Sequence, residues 1–330
     1  MGLSCVKTPV IAIVGPTGIG KSSIAQRLAQ QQGVGVLSAD SMQVYQGMDI
    51  GTAKLSQVER LVPHLGLDLA KPSESYSAAE YQSYAKGIIE SEAAAKGGVP
   101  PVVCGGTGLY LRAALDDFTF AGVDAEDMQQ QEKVRAKYEE MHEHIGSEKL
   151  HELLASHDPK AAAEIHPNNV RRVIRAFELW ETGRSYSEVK QAFKQRKSYY
   201  PTMWIGLTCE RDQLYERINQ RVDVMMEQGL LSEVEGLLNQ GYREALTAQQ
   251  AIGYKELVPV LEGQVELDYA VAAIKQASRR YAKRQLSWFR SDPRIQWVST
   301  DDRSEPEILQ FVVEATELAE HDAYCPIIRV

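Results

Sequence analysis

Cysteine is scarce in this chain and never paired. The four cysteines among 330 residues, Cys5, Cys104, Cys209 and Cys325, stand far apart with no C-x-x-C spacing. That pattern excludes a zinc module and a disulfide framework, and it suits a reducing cytoplasm. Long hydrophobic runs are missing as well. No stretch approaches the roughly 18 apolar residues of a membrane span, so no membrane partner is expected. The opening residues, "MGLSCVKTP", show no charged segment followed by an apolar one, and no secretory leader is expected. Val6 takes the place of the Ser/Thr that a myristoylation start favours. The seven histidines have no metal-ligand spacing. A cytoplasmic monomer is the default expectation.

What remains is an ordinary globular composition, 44% hydrophobic and 25% charged, long enough for one large or two modest domains. The net charge of −9 argues against a nucleic-acid partner on its face. Its distribution reverses that argument. Lys275 to Arg294 holds seven basic residues against one acidic, and Arg171 to Lys197 holds eight against three. Asp124 to Glu164 is acidic, with eleven acids against five bases. Phosphates meet local patches and not totals, although a basic run by itself is equally a solvated helix face.

Short apolar runs punctuate the chain: "PVIAIV", "GVGVLSAD" ending at Asp40, "VVC" before Gly105, "MWIGLT" and "RIQWV". Helical spacing fills the gaps between them. The alternation predicts an α/β fold, a parallel sheet with covering helices. From about Phe120 to Ser198 the pattern is helical almost throughout. That segment is expected to be a helical insertion domain, 120–198, set into a core domain made of 1–119 and 199–330.

The segment Gly15-Pro16-Thr17-Gly18-Ile19-Gly20-Lys21-Ser22 fits G-x-x-x-x-G-K-[ST], after a predicted strand and at the start of a predicted helix. The chemistry follows from the spacing. Backbone N–H groups of such a loop converge on one spot, where the helix dipole adds partial positive charge. Lys21 brings a full charge, and the Ser22 hydroxyl suits Mg²⁺. The loop recognises two linked phosphates and does not name the ester. Asp40, at the end of the second strand, faces the crevice where ligands of parallel sheets bind, as does Thr107 after the third. Spacing puts Arg217 and Arg221 of "RINQR" on one helix face, where a surface salt-bridge ladder is the simplest reading.

Five longer strings narrow the choice: "SADSMQVYQGMDIGTAK", "GGTGLY", "IHPNNVRRVIRAFELWETG", "QQAIGYKEL" and "YAKRQLSWFR". In that order, from about residue 9 to 298, they resemble the motif series of the bacterial tRNA dimethylallyltransferases, also called isopentenyl-tRNA transferases. The phosphate loop departs mildly from that family. Gly18-Ile19 stands where Ala-Ser or Ala-Val is common, and Ser22 replaces the commoner Thr.

The resemblance implies a P-loop NTPase-like core and transfer of a dimethylallyl group from its diphosphate to N6 of an adenosine, nucleotide 37, beside the anticodon. It implies that Asp40 is the general base. Lys21, Ser22 with Mg²⁺, Arg221 and the loop Gly15–Ser22 would then hold the diphosphate. The anticodon stem-loop would be met by Asp40, Ser41, Met42 and Gln43, by Arg171, Arg172, Val173, Ile174 and Arg175, and by Gln250, Ala251, Ile252, Gly253, Tyr254 and Lys255. Thr107 and Arg135 would be single contacts. Trp288 and Phe289 could stack a base, but at helical spacing they are read as core and left out of the site. Three rival readings use the same loop: an ATP-dependent small-molecule phosphotransferase, an adenylate isopentenyltransferase, and an RNA-binding regulator with a nucleotide switch. The first two leave the basic segment Arg171–Lys197 idle. The third leaves base, lysine, hydroxyl and arginine without a purpose.

Overall fold

Five consecutive apolar residues, Val10–Val14, are buried on both faces and form β1, the kind of run that only the interior of a parallel sheet accommodates. The computed structural model describes residues 8–118, 120, 125–244, 247–301 and 303–322. Cys5 and Cys325 lie outside the described residues, and Cys104 and Cys209 are free thiols. The chain divides into two units, Met1–Asp116 with Ser198–Val330, and Asp117–Lys197.

In the first unit β1 is followed by α1 (Lys21–Gln32), β2 (Val36–Ser38), β3 (His64–Leu65), α2 (Ala78–Ala95), β4 (Val102–Gly105) and α3 (Gly108–Leu115). The second unit holds α4 (Ala125–His157), α5 (Pro159–Glu164), α6 (Val170–Glu181) and α7 (Tyr186–Lys194). The chain then completes the first unit with β5 (Thr202–Thr208), α8 (Arg211–Glu227), α9 (Leu230–Leu238), α10 (Tyr254–Leu261), α11 (Leu267–Arg290), β6 (Ile295–Ser299) and α12 (Glu305–Asp322).

The sheet runs β3-β2-β4-β1-β5-β6, with every pair parallel. Five of these strands match the sequence pattern. β3 does not, because two half-buried residues carry no apolar run to read. With β1 between β4 and β5, the loops after β1, β2 and β4 all open at the carboxyl edge of the sheet. Behind them, Ile11, Ile13, Leu28, Val102, Ile205, Leu207 and Ile218 fill one apolar core between sheet and helices.

The second unit has its own core. Gly146, at φ 80°, interrupts α4. Val134, Tyr138, Leu150, Leu154, Val173 and Phe177 pack together, with the Tyr138 and Phe177 rings stacked at 3.9 Å.

Within the first unit, Arg294 ties together the two positions that flank the second unit in sequence. Its guanidinium donates to Asp116 Oδ1 at 2.6 Å and to Ser198 Oγ at 2.9 Å, and also holds Asp292 Oδ2 at 2.8 Å. Asp116 is 1% exposed and is held from its other side by Arg112. Removing Arg294 would leave two buried carboxylates short of a partner, a strongly destabilising change. Arg294→Ala is expected to lower the unfolding free energy by about 3 kcal/mol. Urea unfolding followed by circular dichroism measures this, and a loss under about 1 kcal/mol would contradict the network's role.

Candidate active site

Helix α1 begins without a side-chain cap. Its N-cap is Gly20 at φ 92°, in the left-handed region, and no side chain accepts from the first turn. Helix α2 shows the contrast: Ser77 and Glu80 form a full capping box there. The open amides of α1 are therefore free for an anion. Gly18, at φ 79°, also leans on Ile218 of α8, where a Cβ would come within 2.9 Å of the side chain. Only glycine lets the loop follow that path.

The loop borders a cavity of about 450 Å³ that belongs wholly to the first unit. Thr17, Lys21 and Ser22 reach it from β1 and α1, Asp40, Ser41, Met42 and Gln43 from the end of β2, and Arg221 from α8. Gln250, Ala251, Ile252, Gly253 and Lys255 form a further wall. Gly15, Pro16, Gly18, Ile19 and Gly20 shape the loop without lining the cavity.

Three cavity groups define its chemistry. Lys21 Nζ donates to the Pro16 carbonyl at 2.7 Å. Arg221 Nη1 donates to Thr17 Oγ1 at 2.8 Å. Asp40 Oδ1 accepts from Met42 N at 2.9 Å, while no hydrogen bond to Oδ2 occurs among the described residues. Desolvation pulls Lys21 down to about 8, aided by the positive Arg221 and opposed by the Asp40 carboxylate. Burial also lowers Arg221, with Asp40 opposing. Cys104, pushed up to about 11 by burial, stays a neutral thiol. Arg217 takes a separate partner, Thr300 Oγ1 at 3.1 Å, so the arginine pair is no salt-bridge ladder.

Two further walls are pinned from behind. Glu233 of α9 accepts from the amides of Asp49, Ile50 and Gly51 at 2.8–3.2 Å and from the Tyr254 hydroxyl at 2.6 Å. Gln43 is committed internally, accepting from Ser38 Oγ and donating to the Thr52 carbonyl. Thr107 does not line the cavity, but its Oγ1 accepts from Ser41 N at 3.1 Å. Sequence spacing did not single out Ser278, Tyr281 and Gln285 of α11, which also line the cavity. Polar residues three and four apart on one helix face were the available signal.

Three expectations are corrected. Tyr254 is fully buried with its hydroxyl on Glu233, so it supports the wall and does not line it. In the second unit Val173 and Ile174 are core residues, 0% and 5% exposed, so the run Arg171–Arg175 offers its arginines alone. Arg171 and Arg172 are exposed. Arg135 and Arg175 both grip the buried carboxylate of Glu178, at 2.8 and 2.6 Å. Phe289 is core as expected, whereas Trp288 is not, being 38% exposed although its indole packs against Gly108.

The chain is similar to known proteins along most of its length. A family model described as IPP transferase matches residues 43–292, and one described as isopentenyl transferase matches 8–61. The tRNA dimethylallyltransferase of Geobacillus thermodenitrificans is 45% identical over 94% of each chain. That of Bacillus subtilis is 47% identical over 88% of this chain and 90% of its own. The crystal structure of a tRNA isopentenylpyrophosphate transferase from Staphylococcus epidermidis superposes with TM-score 0.68 at 41% identity, covering 94% of this chain and 99% of that one. A eukaryotic dimethylallyltransferase acting on tRNA superposes with TM-score 0.74 at 27% identity, covering 98% and 81%.

The lowered Lys21 sets a pH dependence. An anion binds the ammonium and not the amine, and the free site loses that proton as pH rises through about 8. A phosphate ester completes its own ionisation near pH 6. Affinity for a non-reactive alkyl diphosphate should therefore fall about tenfold between pH 7 and pH 9. Isothermal titration checks this, and equal affinity at both values would contradict the loss of the Lys21 proton over that range.

Proposed function

The chain belongs to the IPP transferase family, the tRNA dimethylallyltransferases, and from that premise we propose how its cavity carries out the reaction. The protein is a prenyltransferase that moves a dimethylallyl group to a tRNA adenosine. In our reading the donor is dimethylallyl diphosphate and the acceptor is N6 of nucleotide 37, beside the anticodon. The observation that carries this reading is one cavity in which Lys21 and Arg221 attend the phosphate loop while Asp40 faces them.

An exocyclic adenine amine is a weak nucleophile because its lone pair is delocalised into the ring. Asp40 takes its proton as the N6–C1 bond forms and the C1–O bond to diphosphate breaks. The bonding electrons leave with the diphosphate. Lys21, Arg221 and the uncapped amides of α1 oppose that developing charge, an electrostatic contribution worth about 3–4 kcal/mol per essential donor. Thr17 stays in place because Arg221 holds its hydroxyl.

Magnesium fits the donor set. Among the described residues no cluster of three His, Cys, Asp or Glu side chains could hold a metal alone. Mg²⁺ commonly takes one or two protein oxygens and completes its shell with phosphates and water. Ser22 would supply the hydroxyl oxygen from the first turn of α1, with Asp40 across the cavity. Bound there, Mg²⁺ would neutralise diphosphate charge.

The adenine must leave its stack to enter such a cavity. We assign the grip on the anticodon stem to the second unit, through the exposed Arg171 and Arg172 beside the Glu178-anchored Arg135 and Arg175. Phosphate contacts of this kind let an acidic protein bind RNA.

Two experiments test this reading. Asp40→Asn should retain tRNA binding and lose transfer by at least about 100-fold, the scale of a general base. Near-normal turnover would take Asp40 out of the mechanism. Arg171→Ala combined with Arg172→Ala should weaken tRNA binding and reduce the slope of log affinity against log salt by about two, one per lost phosphate contact. An unchanged slope would place the RNA elsewhere.

A further inference from the structure

We propose that Gln285 is a positioning residue that fixes the spacing between the proton acceptor and the leaving-group cradle, an inference that rests on the prenyl-transfer reading above. Gln285 lies in α11 and is 5% exposed. Both ends of its amide are engaged by backbone from two different strand-end loops. Oε1 accepts from Thr17 N at 2.8 Å, in the phosphate loop after β1. Nε2 donates to the Gly106 carbonyl at 2.9 Å, in the turn after β4. The side chain lies so close to Gly106 that a Cβ there would run into Nε2.

Tyr281, one turn earlier on the same helix face, also lines the cavity. Gly106 is followed in the chain by Thr107, which continues the tie. Thr107 in turn accepts from Ser41 N, the amide next after Asp40. A continuous path therefore joins the phosphate loop to the base: Thr17, Gln285, Gly106, Thr107, Ser41, Asp40. Arg221 holds the Thr17 hydroxyl while Gln285 holds its amide, so the loop is tied to two helices.

Only an amide satisfies both ends at once, because one end must accept from an N–H and the other must donate to a carbonyl. A carboxylate of the same size can accept but not donate, and a thioether does neither well. Prenyl transfer needs the amine, C1 and the leaving oxygen nearly in line, and a displacement of about 1 Å can cost about 100-fold in rate. A group that sets this spacing acts on the chemical step, and it leaves the binding of each substrate to other residues.

The test measures single-turnover rate at saturating dimethylallyl diphosphate and tRNA, half-saturating concentrations, and thermal midpoint, for Gln285→Met, Gln285→Glu and Thr107→Val. Both Gln285 variants should lose about 30-fold or more in rate, with both half-saturating concentrations within about threefold of wild type. Thr107→Val removes the acceptor for Ser41 N and should show the same rate-only pattern at about 3–10-fold, which keeps the test open if the Gln285 variants do not fold. A folded Gln285 variant within about threefold of the wild-type rate would overturn the proposal. So would a loss expressed only as weaker donor binding, or Thr107→Val at the full wild-type rate. Wild-type transfer in the same assay tests the reaction itself, and the variant-to-wild-type ratio tests Gln285 alone.

Discussion

Lys21 and Arg221 share one cavity, and neither forms an ion pair with a described residue. Among the described residues, Lys21 meets only a carbonyl and Arg221 only a hydroxyl, and no carboxylate lies within ion-pair distance of either. Both open onto the cavity and keep some accessible surface, yet desolvation still lowers the pKa of each. Nature tolerates desolvated charge where a counter-ion arrives with the ligand, because an uncompensated charge is otherwise costly. The uncapped amides of α1 add to the same excess. The excess of positive charge suits an anion, and side chains of α8 and α11 hold the phosphate loop beside it.

The scaffold does so by placing three loops at one edge of a fully parallel sheet. Parallel strands end side by side, so the groups after β1, β2 and β4 meet at one edge. Helices behind the loops then remove their freedom. Arg221 of α8 and Gln285 of α11 hold Thr17, and Glu233 of α9 gathers three successive amides of the Asp49–Gly51 turn. Function lies in loops, and rigidity comes from helix side chains that bond to loop backbone.

How much of this was legible follows from how local each signal is. The phosphate loop is eight consecutive residues whose geometry is set by its own glycines and the helix it opens, so spacing alone revealed it. Asp40 was found because it ends an apolar run. Arg221 could not be told from Arg217 by spacing, since both lie on one face of α8. Packing separates them, sending one to Thr17 and the other to Thr300. Gln285 carries no local mark of its role, because its partners are 268 and 179 residues away in sequence. Val173 and Ile174 show the opposite error. A run of residues expected to contact RNA as a block is split by helix periodicity into an exposed arginine face and a buried apolar one.

Cations without a partner would suit any diphosphate, so the decisive question is which donor gives up which bond. The most direct measurement offers the purified protein two donors together, dimethylallyl diphosphate labelled in its carbon chain and ATP labelled in its γ-phosphate, with tRNA lacking modification beside the anticodon. Carbon label should appear in RNA as N6-alkylated adenosine at nucleotide 37, with diphosphate released in equal amount and the ATP label untouched. Consumption of ATP label with no carbon in the RNA would contradict the account at its root.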